Sequence, residues 1–482
     1  QNQSMLFAHL LWFLSLLVSQ KTPLLYLTIK VAHLRTFSTK LENIALLKYK
    51  NSNLSQYLIM NTKILETTLI EQKEEFHNNL KINYCTRSEE KLVNLTSKLA
   101  QVVIGIRRCG KSTLCLNVIK KSNLKFAYVN FDDERLQGIT SDDLNTILQY
   151  LYKLYGDFTH LFIDEIQNVR GWSLFVNRLL RTGMHILMTG SNAKLLSGEL
   201  ATYLTGRHMT IELYPFSFSE YCNFKKINIA HATTKEKGML SAAFDSYIID
   251  GGLPELFDEP RKQSYISNLT RNILTNDIEN RYRITFKDAF EKIVNHLLNN
   301  APTTINYIEL KNLFGLGSDH TVENYVNYAK NAYIICTLDK FSYKSKLRIH
   351  GQKAYATDIS FMNNRENAMS GANLGWRLET IVYIELLRRF RPQECDIYYY
   401  KESSGEADFL VCKGKHVQQI IQVRYDISNI KTRKREIKGL LLAAEKTGCN
   451  ELLIITYDED DIIEKDGKTI NIVPAFIWLV EE

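Results

Sequence analysis

Apolar and polar positions alternate along the first half of the chain in a rhythm of short buried strands and amphipathic helices. Four short apolar runs, typical of buried strands, lie at residues 100–104, 125–130, 161–165 and 185–189. Between the last two runs, apolar residues recur at helical spacing at Trp172, Phe175, Val176, Leu179 and Leu180. This alternation predicts a parallel sheet covered by helices on both faces, with any ligand at the carboxyl ends of the strands.

The pattern changes after Tyr214 and Pro215, which end the alternation of strands and helices. Residues 216–300 are predicted to be largely helical, with an interruption at residues 250–254. Three short helices and two strand-like runs follow, and together they are typical of a winged-helix unit. They are predicted at residues 291–300, 307–313, 319–330, 333–338 and 354–357.

A third unit is predicted from about Gly375 onward. It begins with an apolar helix at residues 376–389 and contains a basic helix at about residues 431–447. Strand-like runs accompany both helices, so this unit is again predicted to be α/β. The runs are residues 397–401, 407–412, 419–425, 452–457 and 470–473.

The first fifty-nine residues do not share these patterns. The apolar run at residues 5–18 is too short for a membrane span, and it lacks the basic flank of a secretion signal. Residues 21–59 have no helical or strand period, whereas an amphipathic segment begins at Met60. We expect residues 1–59 to be a leader outside the native protein, read from upstream of its start. An N-terminal membrane anchor is the alternative.

The amino-acid composition is that of an ordinary soluble protein, and the net charge is mildly positive. The chain has 482 residues and a net charge of +7, which permits an acidic partner such as DNA without requiring one. Eight scattered cysteines with no CxxC pair indicate a reducing compartment, so we expect a cytoplasmic protein with no membrane association. The eleven histidines include no HExxH zinc motif.

Residues 105–113, with the sequence GIRRCGKST, match the phosphate-binding pattern G-x-x-x-x-G-K-[ST] in full. A predicted strand enters this loop and a predicted helix leaves it, which is the context the motif requires. Its backbone N–H groups and the helix terminus would surround the phosphates of ATP, and the Lys111 side chain would reach the β- and γ-phosphates. The predicted ATP-binding residues are Gly105, Ile106, Arg107, Arg108, Cys109, Gly110, Lys111, Ser112 and Thr113.

Asp164 and Glu165 follow the third apolar run, about fifty residues after Lys111. An Asp-Glu pair at a strand end beside a phosphate loop is the Walker B arrangement. Asp164 and the Ser112 hydroxyl would hold Mg²⁺ together with ATP. Glu165 would orient and deprotonate the attacking water. The alternative is a solvated acidic turn.

Two further positions are candidates for catalysis. Asn192, with Ser191 and Thr189, ends the next strand, where a polar side chain can contact the γ-phosphate or the water. Arg207 follows in Gly206-Arg207 and is predicted to stabilise charge in the transition state, in its own or a neighbouring subunit. A plain turn at Asn192 and a surface salt bridge at Arg207 are the alternatives.

Several further motifs follow one another along the chain: YVNFDDERL (128–136), FIDEIQN (162–168), GW (171–172), TGSN (189–192), LTGR (204–207), PFSFSEY (215–221) and GGLP (251–254). Together with the phosphate loop, they resemble prokaryotic AAA-type ATP-binding proteins that have a C-terminal domain of unknown function with a restriction-endonuclease-like fold. This resemblance implies an AAA ATPase domain at residues 60–215, a helical lid and winged-helix region at 216–365, and a nuclease-like domain at 366–482.

The nuclease-like domain matches its pattern in a degenerate form. Glu379, Asp408 and Gln422 stand where that fold binds a metal ion, and Arg424 stands where it uses lysine. Gln is a weaker metal ligand than Glu, and Arg is a poor base. These residues are therefore a candidate second metal site in a domain that is inactive or only binds DNA, with an active Mg²⁺-dependent nuclease as the alternative.

The predicted winged helix offers a candidate DNA-binding face. Val322, Tyr325, Val326 and Ala329 would face inward, and His320, Asn324, Asn327 and Lys330 would face outward, with phosphate contacts from Lys344, Lys346 and Arg348. A protein-binding module is the alternative. The whole chain is predicted to hydrolyse Mg-ATP and to couple hydrolysis to conformational change, as a monomer or a homo-oligomer. A DNA-binding regulator switched by ATP is the second hypothesis.

Overall fold

The computed structural model describes residues 62–190, 204, 206–343, 351–363, 365, 368 and 373–481. The chain divides into a unit of residues 1–67, of which only the first turn and a half of a helix is described, and a unit of residues 68–482. Helix α1 runs from Thr62 to Asn79. No helix among the described residues has the length and apolar character that crossing a bilayer requires.

A five-stranded parallel sheet forms the first half of the larger unit. Its order is β2-β3-β4-β1-β5, and every pair is parallel. The α/β prediction with a parallel sheet is therefore confirmed. The strands are β1 (Ala100–Ile104), β2 (Phe126–Asn130), β3 (His160–Asp164), β4 (His185–Gly190) and β5 (His208–Glu212).

Among the described residues, three helices connect these strands: α2 (Lys111–Ser122), α3 (Leu144–Tyr155) and α4 (Trp172–Arg181). The predicted stripe of α4 is buried at Trp172, Phe175, Val176 and Leu179. Strand β5 was not predicted, because most of its side chains lie at the exposed edge and only Ile211 is buried. The order of the sheet brings the ends of β1 and β3 to the same edge, on either side of β4.

The middle of the chain is mainly helical. Helix α10 buries Val322, Tyr325, Val326 and Ala329, as predicted. The three helices and the hairpin expected for a winged helix are present near the predicted positions. The helices and strands of the whole middle region are α5 (Phe218–Phe224), α6 (Thr234–Asp250), α7 (Lys262–Asn272) continuing as a π-helix (Ile273–Glu279), α8 (Lys287–Asn300), β6 (Thr303–Thr304), α9 (Tyr307–Leu313), α10 (Asp319–Asn331), β7 (Ile335–Lys340), β8 (Lys353–Ala356) and α11 (Ser360–Asn363).

The hairpin of the middle region and the C-terminal strands form one mixed sheet, with the order β13-β14-β12-β11-β10-β9-β7-β8-β6. A short parallel pairing of β7 with β9 joins the two parts, and no local pattern predicted it. The remaining elements are α12 (Leu374–Phe390), β9 (Asp396–Glu402), β10 (Gly405–Lys413), β11 (His416–Val423), α13 (Ile430–Thr447), β12 (Leu452–Thr456), β13 (Asp461–Lys465), β14 (Lys468–Pro474) and α14 (Ala475–Trp478).

Helix α13 covers one face of this sheet through apolar contacts with β10, β11 and β12. Leu440, Ala443 and Ala444 of the helix are fully buried in a core that includes Leu410 and Ile454. The helix approaches β10 closely at Gly439, where a Cβ would lie 2.2 Å from the Glu406 carbonyl oxygen. The mainly polar sequence at residues 431–438 therefore belongs to the outward part of a packed helix.

Replacing Gly439 by alanine is expected to destabilise the protein by about 1–3 kcal/mol, because backbone atoms must move apart to admit the methyl group. Gly238→Ala in α6 is the matched control, since nothing lies within 4 Å of its Cβ position. That change should be neutral or stabilising by up to about 1 kcal/mol through helix propensity. Urea unfolding of both variants measures the difference. Equal stability of the two variants would contradict the close contact.

Candidate nucleotide-binding site

The loop between β1 and α2 has the backbone that its two glycines permit. Gly105 has φ +154°, and a Cβ there would lie 2.1 Å from the Leu213 carbonyl oxygen. Gly110, directly before α2, is left-handed with φ 95° and ψ 28°. Gly105 therefore leaves no room for a side chain, and the backbone of Gly110 disfavours one, so that the loop turns tightly from the sheet edge into the first turn of α2.

Lys111 is buried and folds back over this loop. Its Nζ donates to the carbonyl oxygens of Gly105 at 3.3 Å and of Ile106 at 3.0 Å. Buried ammonium groups require charged or polar partners. The cation is thus held at the mouth of the loop, where it can interact with an anionic ligand bound by the loop.

Asp164, at the end of β3, meets the first turn of α2. The Ser112 hydroxyl donates to Asp164 Oδ1 at 2.9 Å, and the Thr189 hydroxyl donates to the same oxygen. Burial raises the pKa of Asp164 to about 6, and the Glu165 carboxylate adds to this effect, while Thr189, Ser112 and Lys111 act in the opposite direction. A hydroxyl and a carboxylate in contact form an oxygen donor set of the kind Mg²⁺ prefers.

Glu165 adopts a left-handed backbone with φ 53° and ψ 44°, which is uncommon for this residue type. Its N–H donates to Thr189 Oγ1 at 3.2 Å, and its carboxylate accepts from Gln167. Thr189 therefore contacts both acidic residues. Such backbone strain is typical of functional sites and is maintained here by the neighbouring strand end.

A cavity of about 440 Å³ adjoins the loop. Gly110 and Thr113 form one side of it, and three aromatic residues that the sequence patterns did not identify form much of the rest. These aromatic residues are Tyr84, Phe216 and Phe224. Amides are contributed by Asn83 and Asn223, and Cys85, Arg87 and Pro254 complete the lining.

Known domain families match three parts of the chain. A family model for an AAA domain matches residues 97–222, and two models for domains of unknown function, DUF8612 and DUF4143, match residues 241–372 and 374–478. An uncharacterized protein of Methanocaldococcus jannaschii is 33% identical over 448 residues, which cover 87% of this chain and 98% of that relative. The chain belongs to this family of AAA-domain proteins.

Another uncharacterized relative, from Haemophilus influenzae, is 29% identical over 397 residues, covering 79% of this AAA protein and 94% of the relative. Among solved structures, the replication initiator DnaA bound to AMPPCP and single-stranded DNA aligns at 15% identity with a TM-score of 0.24, over 52% of this chain and 91% of that chain. The Thermotoga maritima RuvB Holliday junction branch migration motor aligns at 13% identity with a TM-score of 0.26, over 57% and 93%. These two structural similarities are too low to support a statement about ligands or partners.

The phosphate loop of the AAA protein is tied to the helices that follow β5. Arg107 Nη1 lies 3.2 Å from Asp277 Oδ1, and Arg108 Nη1 lies 2.9 Å from Glu255 Oε1. Asp277 belongs to the π-helix, and Glu255 follows the Gly251-Gly252 turn. The two loop arginines thus contact the middle region rather than solvent alone.

Arg281 is a candidate that sequence reasoning missed. Its Nη1 atom is buried and has no hydrogen-bond partner among the described residues. Burial lowers the pKa of Arg281, and Asp277, Tyr282 and Glu165 oppose that shift. Arg281 is half-buried, and its Nη1 can donate a hydrogen bond to an anionic group. The one feature of the sequence that could have identified Arg281 is its position four residues after Asp277.

The structure does not bring Arg207 to the phosphate loop of its own chain. The Arg207 carbonyl oxygen accepts from the Ala100 N–H at 3.0 Å, at the beginning of β1. The loop lies at the other end of that strand, about 13 Å away at about 3.3 Å per residue. An arginine finger acting within the same chain therefore does not fit. Asn192 lies outside the described residues.

Of the other predicted loop residues, Ile106 and Cys109 are fully buried. The Cys109 thiol donates to the Leu213 carbonyl oxygen at 3.4 Å, and burial raises its pKa. Glu379, Asp408 and Gln422 come together on α12, β10 and β11, where the Asp408 N–H donates to Gln422 Oε1 at 3.2 Å. Arg424, which stands at the position of the nuclease lysine, pairs with Glu436 of α13, with 2.8 Å between Arg424 Nε and Glu436 Oε1.

Asp164→Asn is expected to stabilise the nucleotide-free protein at pH 8 by up to about 3 kcal/mol. The folded-state pKa of about 6 exceeds the ordinary 3.8, so ionisation destabilises the fold above pH 6 and has no effect below about pH 4. The gain should therefore shrink as the pH falls from 6 to 4. Thermal melts between pH 4 and 8 measure it, with the exposed Asp157→Asn as control. A variant less stable than wild type at pH 8 would refute this account.

Proposed function

We propose that the AAA domain binds Mg-ATP and hydrolyses it to ADP and phosphate. The observation that carries this proposal is the 2.9 Å contact between Ser112 and Asp164, directly beside the buried Lys111. Ser112 and Asp164 would hold Mg²⁺, which neutralises charge on the β- and γ-phosphates. Lys111 and the loop N–H groups would position those phosphates.

Glu165 is proposed to act as the base. It takes a proton from a water molecule whose oxygen attacks the γ-phosphorus while the bond to the ADP oxygen breaks. The left-handed backbone at Glu165 turns its side chain away from the direction of the strand, and its N–H contact with Thr189 fixes that turn. Arg281 is proposed to contact the γ-phosphate from the middle region.

The cavity beside Gly110 and Thr113 suits the nucleoside part of the ligand. A volume of about 440 Å³ with aromatic walls is adequate for a base and ribose, and aromatic side chains stack on bases. Cys85 lines this cavity and is the one cysteine of the chain that is not buried. A bound nucleotide should therefore protect the Cys85 thiol from alkylation.

A buried ion network is proposed to carry the coupling to the C-terminal domain. Arg87 donates to the Cys109 carbonyl oxygen of the phosphate loop at 3.1 Å, and its Nε lies 3.0 Å from Glu220 Oε1. Arg388 of α12 donates to the Pro215 carbonyl oxygen at 2.8 Å and lies 3.6 Å from Glu89. Movement of the phosphate loop on nucleotide binding would thus be transmitted through these contacts to α12.

We propose an AAA domain at residues 60–215, a lid and winged-helix region at 216–365 and a nuclease-like domain at 366–482, in a cytoplasmic protein. Arg207 is exposed at the strand end opposite the phosphate loop. If the chain forms a ring-like homo-oligomer, Arg207 would contact the nucleotide site of a neighbouring subunit.

A DNA-binding regulator switched by ATP is the second candidate. The outward face of α10 favours it, since His320, Asn324, Asn327 and Lys330 are all exposed, as predicted. Lys344, Lys346 and Arg348 lie outside the described residues. Binding to duplex DNA that weakens with salt and changes with nucleotide would support this candidate.

Lys111→Ala is expected to abolish ATP binding, and Glu165→Gln to retain binding while hydrolysis falls at least about 100-fold, because only the base is lost. Binding is measured as protection of Cys85 from a maleimide, followed by mass spectrometry, and hydrolysis as phosphate release. Lys125→Ala, an exposed lysine beyond the end of α2, is the control. Unchanged hydrolysis in Glu165→Gln would exclude Glu165 as the base.

Arg281→Ala is expected to lower the rate of ATP hydrolysis about 10- to 100-fold with little change in ADP affinity, because the side chain is proposed to contact only the γ-phosphate. Arg283→Ala, two residues further and exposed, is the matched control. Phosphate release and ADP titration separate the two effects. If both variants hydrolyse ATP at the wild-type rate, Arg281 has no role in the reaction.

A further inference from the structure

Two buried carboxylates of the C-terminal domain, Glu379 on α12 and Asp408 on β10, surround a single ammonium group. Lys353 Nζ lies 3.6 Å from Glu379 Oε1 and 3.9 Å from Asp408 Oδ1. It also lies 2.9 Å from Glu406 Oε1. The position that a divalent cation would take between the two carboxylates is therefore already filled by a cation of the chain itself.

This cation does not come from the C-terminal domain. Lys353 begins β8, within the residues that match the preceding domain family, 241–372. Tyr355 lies two residues further along the same strand, and its hydroxyl donates to Glu379 Oε1 at 2.8 Å. Side chains two residues apart in a strand share a face. Strand β8 thus presents both an ammonium and a hydroxyl to the carboxylate pair.

Lys353, Glu379 and Asp408 are all buried, so the ammonium group has carboxylates rather than water as its partners. Magnesium ions bind carboxylate oxygens at about 2.1 Å. An ion shared by Glu379 Oε1 and Asp408 Oδ1 would therefore compete with the Lys353 ammonium for the same two oxygens.

Gln422, the third predicted ligand, is also engaged. Its Oε1 accepts from the Asp408 N–H at 3.2 Å, and its Nε2 donates to Glu436 Oε2 at 2.7 Å. Across the part of the chain that the structure describes, no group of three or more His, Cys, Asp or Glu side chains is arranged to hold a metal ion. The residues present at this site do not fit the metal that a nuclease-like fold implies.

We infer that Lys353 is a resident internal cation that replaces the divalent ion between Glu379 and Asp408. The carboxylate pair then holds the C-terminal domain against β8. The pair becomes a metal-binding site only when Lys353 is removed. This inference is independent of the proposed ATP hydrolysis, because it concerns neither the phosphate loop nor Asp164.

Binding of Mn²⁺ to the nucleotide-free, full-length protein, measured by electron paramagnetic resonance, tests the inference. Lys353→Met is expected to gain one Mn²⁺ site at least tenfold tighter than any binding by wild type, and Lys353→Met with Asp408→Asn is expected to lose it. Lys401→Met is the matched control, since Lys401 also pairs with Glu406, at 3.0 Å, but is exposed. That control should gain no site.

Wild type supplies a second arm if the Lys353→Met variant does not fold. Asp408→Asn in the wild-type background should leave Mn²⁺ binding unchanged, because Lys353 rather than a metal ion lies between the two carboxylates. The inference is overturned if wild type binds one Mn²⁺ that Asp408→Asn removes. It is equally overturned if a folded Lys353→Met variant binds no more Mn²⁺ than Lys401→Met.

Discussion

The buried pairing of Arg87 with Glu220 is the interaction on which the arrangement of the phosphate loop depends. Arg87 is almost completely buried, and it donates to the carbonyl oxygens of Cys109 in the loop and Tyr214 at the end of the sheet. A buried guanidinium without a carboxylate would be strongly destabilising. Glu220 supplies that charge at 3.0 Å, so the segment before β1, the loop and the segment after β5 are held together at one point.

The same network continues into the C-terminal domain through Arg388, which donates to Pro215 and pairs with Glu385. Two buried arginines are therefore balanced by the carboxylates of Glu89, Glu220 and Glu385. Separating one partner from this network would leave an uncompensated buried charge, which is strongly destabilising. This constraint gives the proposed coupling a physical basis in the contacts of α12.

Two acidic sites in one chain show how neighbouring groups decide what a carboxylate binds. Asp164 accepts hydrogen bonds from two hydroxyl groups, whose oxygen atoms can also bind a divalent ion. The Lys111 ammonium donates to loop carbonyl oxygens. Glu379 and Asp408 instead face the Lys353 ammonium. In the proposed function, the first site binds a metal ion together with a nucleotide. The second has its positive charge built into the fold.

Features whose physics is local could be predicted from the sequence. The phosphate loop, the carboxylates at the end of β3 and the buried stripe of α10 follow from glycine backbones and from periodic burial, which neighbouring residues decide. The contacts of Arg87, Arg281 and Lys353 could be learned only from the tertiary structure. The same holds for the distance between Arg207 and the phosphate loop of its own chain. Those outcomes depend on strand order and on charges that meet across long stretches of chain, because a buried charge takes whichever partner the fold brings close, and no local pattern records that partner.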